Sequence, residues 1–321
     1  MIGVWLLFGL AAGSQQSPPL HLAEVINLPG RTTRFDYQSF DEKSRRLFLS
    51  HMGDGHLVVI DVDKKAVVAD LPGYGTVTGV LAVPNEEKVY ASATETHEVV
   101  VTDMNTLKVI TRLKGVRFPD GIAYVPGVRR VFVSDESGGI DLVIDAVTNM
   151  VLSRIDLGGE AGNTQYDAKN NRILVAVQSR NEMAAIDPKT LMVKKYPISG
   201  GDQPHGFYVD AARNLAYVSC EGSDSLLVVD LATMKTLQKF PVTSGPDVLA
   251  FDKGLKRLYV GCEGGAVDVF EVVGRGLKSL GSYNAANAHT LSVDQKTHHV
   301  FVALKDDGGK PRLRVLEPVL K

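Results

Sequence analysis

LYVG, at residues 258–261, is one of seven related tetrapeptides that decide the fold. The full set is LFLS, VYAS, VFVS, ILVA, AYVS, LYVG and VFVA, which begin at Leu47, Val89, Val131, Ile173, Ala216, Leu258 and Val300. Consecutive copies lie 42 residues apart, except for one spacing of 43 after Ile173. A fixed period of this length is typical of proteins that repeat one structural unit. The sequence therefore predicts seven copies of the same unit.

Each unit contains four short segments rich in β-branched and aromatic residues, separated by Gly, Asn, Asp and Pro. In the fifth unit these segments cover residues 205–210, 215–220, 225–230 and 236–242. This pattern predicts four strands joined by tight turns. A lone four-stranded sheet would expose two apolar faces, whereas seven sheets arranged radially bury those faces against one another. We therefore expect an all-β protein, a seven-bladed β-propeller of four-stranded antiparallel blades.

The two ends of the chain are expected to close the ring. The seventh unit supplies strands at residues 289–294, 300–304 and 312–317, but no fourth strand follows. The N-terminal segment LAEVINL, at residues 22–28, resembles the outer strand VLSRIDL at residues 151–157. The N-terminal strand should therefore complete the last blade.

Composition and charge restrict the possible partners. The chain has 321 residues, of which 44% are hydrophobic and 22% charged, and its net charge is −2. It carries no basic field, so no nucleic-acid partner is expected. No later segment approaches the ~18 consecutive apolar residues of a membrane-spanning helix, so we expect no membrane span in the mature chain. The protein is expected to be a monomer.

The N-terminus resembles a secretory signal peptide. Residues 2–13 read IGVWLLFGLAAG and are followed by SQQSPP, although no Lys or Arg precedes the apolar run. An apolar run of this length followed by small residues predicts cleavage near Gly13 or Ser17. The expected division is a signal peptide at residues 1–17 and one propeller domain at residues 18–321, with a periplasmic or secreted location. The alternative is that residues 1–17 form a buried strand.

A repeated acid follows the third strand of most units. These residues are Asp61, Asp103, Asp145, Asp187 and Asp230. Each should open a hairpin, where an Asp carboxylate accepts hydrogen bonds from backbone N–H groups. We interpret this series as structural.

A second repeated position is more informative for function. It lies twelve residues before the second residue of each tetrapeptide, at the start of the innermost strand. The seven residues there are Asp36, Thr78, Asp120, Gly162, His205, Asp247 and His289. In a propeller they surround the mouth of the central channel on one face, and five of the seven are ionisable.

Converging carboxylates and imidazoles are candidate ligands for a divalent metal ion in the channel. The candidate ligands are Asp36, Asp120, His205, Asp247 and His289. His and Asp suit Zn, Mn or Fe, whereas oxygen-rich neighbours such as Asn163 would favour Ca. The same groups could instead form an acid/base pair, or only hydrate a water-filled channel. The sequence establishes no cofactor.

The loops between second and third strands should open on the same face. Their polar residues are His51, Asp135, Glu136, Arg180, Glu221 and Glu263. Together with Asn163 and the ring positions they predict a concave polar pocket, the usual form of a ligand site. Its mixed charges predict a small polar molecule or a protein loop as the partner.

The two cysteines, Cys220 and Cys262, occupy the same repeat position in adjacent blades. Equivalent atoms of adjacent blades should lie farther apart than the ~7 Å limit for a disulfide. Two buried free thiols are therefore expected.

The LYVG and VVD segments, the Asp-x-x-Thr turns, and the segments QPHGFYVD (203–210) and GPDVLAFD (245–252) resemble the YVTN-repeat β-propeller family of surface and periplasmic proteins. The resemblance covers nearly the whole mature chain. It implies a seven-bladed fold and export, but such propellers serve as scaffolds, as binders and occasionally as enzymes.

Two hypotheses of function follow. The first is an exported noncatalytic propeller that binds a protein or a small polar ligand at the channel mouth. The alternative is a metal-assisted enzyme, a lactonase-like hydrolase or a lyase, that uses the Asp and His ring. The sequence contains no Gly-x-Ser-x-Gly, Cys-x-x-Cys-His, P-loop or dinucleotide motif, which favours the first hypothesis.

Overall fold

The computed structural model describes residues 18–320, so the expected signal peptide lies outside the described residues. Within this range 28 strands form seven four-stranded antiparallel sheets. The first strand, β1, covers Leu20–Asn27. The remaining 27 strands follow in chain order, four to each of blades 1 to 6 and three to blade 7.

Blades 1 to 3 comprise β2 (Gln38–Asp41), β3 (Arg46–His51), β4 (His56–Asp61), β5 (Ala66–Leu71); β6 (Val77–Val83), β7 (Lys88–Ala93), β8 (Glu98–Asp103), β9 (Val109–Lys114); and β10 (Pro119–Val125), β11 (Arg130–Asp135), β12 (Ile140–Asp145), β13 (Val151–Asp156). Blades 4 to 6 comprise β14 (Ala161–Asp167), β15 (Arg172–Val177), β16 (Glu182–Ile186), β17 (Val193–Pro197); β18 (Pro204–Asp210), β19 (Leu215–Cys220), β20 (Ser225–Asp230), β21 (Lys235–Pro241); and β22 (Pro246–Asp252), β23 (Arg257–Cys262), β24 (Ala266–Val273), β25 (Gly276–Asn284). Blade 7 takes β26 (Thr290–Val293), β27 (Val300–Leu304) and β28 (Arg312–Pro318).

The N-terminal strand closes the ring. β1 pairs antiparallel with β28, and the order of the last sheet is β1-β28-β27-β26. The prediction of closure is confirmed, with the strand at Leu20–Asn27 in place of residues 22–28. Leu20 is fully buried, which explains why the strand begins before the segment that resembles other outer strands.

The apolar core consists of seven clusters, one between each pair of adjacent blades. The repeated tetrapeptides lie in the second strand of every blade, and their second residues, such as Tyr217 and Phe301, are at most 2% exposed. The first strands lie innermost, because each contacts the first strands of both neighbouring blades. Each blade thus buries both faces, as the radial arrangement requires.

The repeated acids are structural, as predicted. The Asp145 carboxylate accepts hydrogen bonds from the backbone N–H groups of Val147 and Thr148 and from the Thr148 hydroxyl. These bonds to Thr148 lower the pKa of Asp145, because they stabilise the ionised form.

Both cysteines are free and buried, which confirms the prediction. Burial raises the pKa of the Cys220 thiol to about 12 and that of Cys262 further still.

Within residues 18–320 no helix is long and apolar enough to span a bilayer.

Candidate functional site at the channel mouth

The ring positions all lie at one end of the channel, here called the top. In blades 2 to 6 they fall within the first strand, whereas Asp36 lies two residues before β2 and His289 directly before β26. Most of these side chains are buried: Asp36, Thr78, Asp120, Asp247 and His289 are each at most 5% exposed. Their polar groups therefore meet one another more than they meet water.

Asp247 connects the two ring histidines. One of its carboxylate oxygens lies 3.0 Å from Nδ1 of His205, and the other lies 3.2 Å from Nδ1 of His289. A single carboxylate of blade 6 thereby joins the imidazoles of blades 5 and 7. The sequence placed these three residues at equivalent positions of consecutive repeats, and the structure brings their side chains together.

Two glutamates cover this group on the solvent side. Glu221 and Glu263 follow the second strands of blades 5 and 6. Glu221 Oε1 lies 3.5 Å from Nδ1 of His205, and Glu263 Oε1 lies 2.9 Å from Nδ1 of His289. Their side chains are 38% and 47% exposed, so a molecule arriving from solvent would reach them first.

On its other side His289 contacts blade 1. Its Nε2 lies 2.5 Å from the Asp36 carboxylate. The guanidinium of Arg34, which is partly exposed, lies 2.8 Å from Glu263 and 3.9 Å from Asp36. Arg34 thus adds a positive charge to the rim of the mouth.

Asp120 faces the remaining side of the group. Its carboxylate accepts a hydrogen bond of 3.2 Å from the Tyr37 hydroxyl and lies 3.9 Å from Nε2 of His205. Tyr37 therefore reaches from blade 1 to blade 3 beneath the charged residues. Below it lies a cavity of about 380 Å³ that is lined by Tyr37 and by mainly apolar or uncharged polar side chains of the inner strands.

The charge states follow from burial and from the opposing charges. Burial disfavours both imidazolium ions, but the surrounding carboxylates, Asp247 first among them, together outweigh it. They raise the pKa of His289 to about 10 and that of His205 well above its usual value. Burial also disfavours the Asp247 carboxylate, yet the two imidazolium ions hold its pKa well below the usual range. Burial and the neighbouring Asp36 charge raise the pKa of Asp120 to about 8. The surroundings therefore favour the charged forms of both imidazoles and of Asp247 and the neutral form of Asp120.

Two of the predicted mouth residues point away from this group. His51 is buried, stacks on Phe35 and lies 2.9 Å from the Thr33 hydroxyl through Nε2. Arg180 is exposed and donates a hydrogen bond to the Gly158 carbonyl. Both contacts hold loops of the top face together.

Four other predicted residues lie at the margin. Thr78 is buried and donates to the Pro119 carbonyl of the next blade. Asn163 lines the cavity below the ring. Glu136 accepts a hydrogen bond from Gln178, and burial raises its pKa. Asp135 accepts hydrogen bonds from backbone N–H groups of its own loop and the preceding one, and so has a structural role.

The five candidate metal ligands do not converge on one point. Within the described residues 18–320, one group of His and acidic side chains has its donor atoms all within 4.8 Å of one another: His205, Glu221 and Asp247. His205 and Asp247 belong to the predicted set, whereas Glu221 does not. The other three predicted ligands lie outside this group. Asp36 and His289 pair with each other, and Asp120 lies beside Tyr37.

Sequence reasoning missed Arg34 and Tyr37. Both lie in residues 28–37, which connect β1 to β2 and form a longer connection than those between the other adjacent blades. An Arg and a Tyr flanking the ring residue Asp36 were the available signal.

A glycine explains how closely the inner strands approach. Gly206 directly follows the ring residue His205, and a Cβ atom placed there would lie 1.8 Å from the Asp247 carbonyl oxygen. The Ser219 hydroxyl, from the repeated tetrapeptide, lies within hydrogen-bond distance of the Gly206 and Asp247 carbonyls. The glycine and the serine together bring blades 5 and 6 close enough for His205 to contact Asp247.

Comparisons with known proteins establish the fold. No protein-family model matches the chain, and no curated protein matches it. Among solved structures, the crystal structure of the RRP9 WD40 repeats superposes with a TM-score of 0.80 at 8% identity and covers 93% of this chain and 100% of that chain. The structure of U3-55K gives a TM-score of 0.78 at 8% identity and covers 92% of this chain and 98% of that one. At this identity the likeness concerns the fold alone, and this chain is a seven-bladed β-propeller.

Proposed function

We propose that this protein is an exported, noncatalytic propeller that binds a protein loop or a small polar ligand at the top mouth of its channel. The observation that carries the proposal is the group of buried, mutually paired acids and histidines beneath a partly exposed rim of both charges. Arg34, Glu221 and Glu263 present this rim to solvent. The rim charges are held in place by the buried acids and histidines below them. Such an arrangement favours a polar partner with complementary charges.

The same pairing disfavours catalysis. Asp247 raises the pKa of both imidazoles, which leaves less of the neutral form that a general base needs near neutral pH. The two carboxylate oxygens of Asp247 already contact the two histidines, one each. This observation supports binding over the hydrolase or lyase hypothesis.

Residues at the two ends of the channel supply a direct test. The protein would be screened against small polar molecules and against synthetic peptides by thermal shift, and each hit measured by calorimetry. Arg34→Gln and Glu263→Gln should weaken a true ligand at least about tenfold, because each removes a charge of the rim. Glu42→Gln, at the opposite end of the channel, is the matched control and should leave binding unchanged. A ligand that responds to Glu42→Gln but not to the rim variants would contradict the proposed location.

Export is a separate part of the proposal and rests on the apolar segment of residues 2–13. The YVTN-repeat resemblance supports it and stays a prediction from the sequence. When the full chain is produced in a bacterial host, the periplasmic fraction should contain protein that begins near residue 14 or 18, as mass spectrometry would show. Recovery of only the uncleaved chain from the cytoplasm would contradict export.

A further inference from the structure

We propose that the top mouth holds a divalent transition-metal ion bound by His205, Glu221 and Asp247. The inference rests on the proposed binding role of the mouth, because it names a cofactor for that same site. It differs from the five-residue set expected from the sequence in using one imidazole and two carboxylates of blades 5 and 6.

Two of the three donor-atom distances already match the spacing of metal ligands, and all three donor atoms lie within 4.8 Å of one another. His205 Nδ1 lies 3.0 Å from Asp247 Oδ1 and 3.5 Å from Glu221 Oε1. An ion with bonds of about 2.0–2.2 Å keeps neighbouring ligand atoms roughly 3–3.5 Å apart. An ion could therefore be accommodated without repacking of the inner strands.

The charge of the mouth favours a cation. Six carboxyl groups face three cationic groups there: Asp36, Asp120, Glu136, Glu221, Asp247 and Glu263 against Arg34, His205 and His289. A divalent ion would take the place of the proton that His205 shares with the two carboxylates, and that proton would pass to solvent.

The neighbouring arrangement around His289 is less suited to an ion. There Glu263 is already paired with the Arg34 guanidinium at 2.8 Å, and the positive charge of Arg34 would repel a metal. Among the ion pairs of residues 18–320, Glu221 pairs with His205 alone. Its partial exposure also gives an ion a path from solvent.

The donor types indicate which ions would bind. One imidazole nitrogen and two carboxylates suit Zn²⁺ or Mn²⁺, whereas Ca²⁺ and Mg²⁺ prefer oxygen ligands alone. The remaining coordination positions would be open to water or to a polar group of the bound partner.

The test is calorimetry with the metal alone on the chain purified without a polyhistidine tag and stripped with a chelator. We expect one site per chain for Zn²⁺ or Mn²⁺ and weaker or no binding of Ca²⁺ and Mg²⁺. Glu221→Gln should reduce affinity at least about tenfold. Glu42→Gln, the same change at the opposite end of the channel, should leave affinity within about threefold, because Glu42 is not in the ligand set. Both variants should melt at the wild-type temperature without metal, because both side chains lie at the surface.

Absence of Zn²⁺ and Mn²⁺ binding, or equal losses in the two variants, would overturn the inference. The proposed binding function would survive that result, because its own test uses a ligand and the variants Arg34→Gln and Glu263→Gln. Loss of ligand binding in Glu263→Gln together with one metal site per chain in the wild type would support both.

Discussion

Single residues of this propeller depart from the repeat where function or stability is at stake, and Asp141 is the clearest case. It pairs across the sheet with Ser134. The corresponding positions of the other six blades hold Leu57, Val99, Met183, Leu226, Val267 and Leu313. Asp141 is fully buried, and neither carboxylate oxygen has a hydrogen-bond partner within residues 18–320. Burial raises its pKa to about 8, so the folded protein keeps this group protonated at neutral pH.

We therefore predict that Asp141→Leu stabilises the protein. Below pH ~4 the carboxyl is protonated in both the folded and the unfolded state, so its titration adds no penalty there. As the pH rises from about 4 to about 8, the Asp141 carboxyl ionises only in the unfolded state. The free energy of unfolding of the wild type therefore falls by up to about 1.4 kcal/mol per pH unit. The advantage of Asp141→Leu, measured by denaturant unfolding, should grow over this range and level off above it. Asp141→Asn, which removes the charge without adding apolar volume, should lose the same pH dependence. A difference in stability between Asp141→Leu and wild type that does not change with pH would show that Asp141 is not kept protonated in the folded protein.

At the scale of strands and blades, the repeat predicts most of the structure. The second and third strands of the fifth blade fall at 215–220 and 225–230, as expected, because their apolar residues pack against both neighbouring blades. The bounds of the outer strands are less well predicted. About half of their side chains face solvent, so the apolar pattern does not mark where these strands begin and end. The expected strand at 236–242 is Lys235–Pro241, for example.

Closure of blade 7 by β1 gives a prediction at this scale. A chain that begins at residue 31 lacks β1 and exposes the edge of β28 together with the apolar residues that Leu20 and Ile26 cover. It should unfold at a clearly lower temperature than a chain that begins at residue 18, because paired strand edges and buried apolar surface are both lost. Calorimetric melting of the two proteins makes the comparison. Equal melting temperatures would show that β1 contributes nothing to closure.

For the molecule as a whole, the ring of blades was predictable and the chemistry at its axis only partly so. Equivalent repeat positions must meet around the axis, which is why Asp247, His205 and His289 could be placed together from the sequence. The sequence did not show which atoms would pair, because that depends on side-chain direction within a few ångströms. Nor could the period point to Tyr37 and Arg34, since no other repeat has a Tyr or an Arg at the corresponding position.

Tyr37 has a consequence for the two faces of the molecule. Its hydroxyl contacts the charged group at the top mouth, and the same side chain lines the cavity of about 380 Å³. One side chain is therefore shared by the charged mouth and by a cavity lined mostly by uncharged residues. A guest in the cavity that moves Tyr37 would break its hydrogen bond to Asp120, so we expect such a guest to alter the mouth as well.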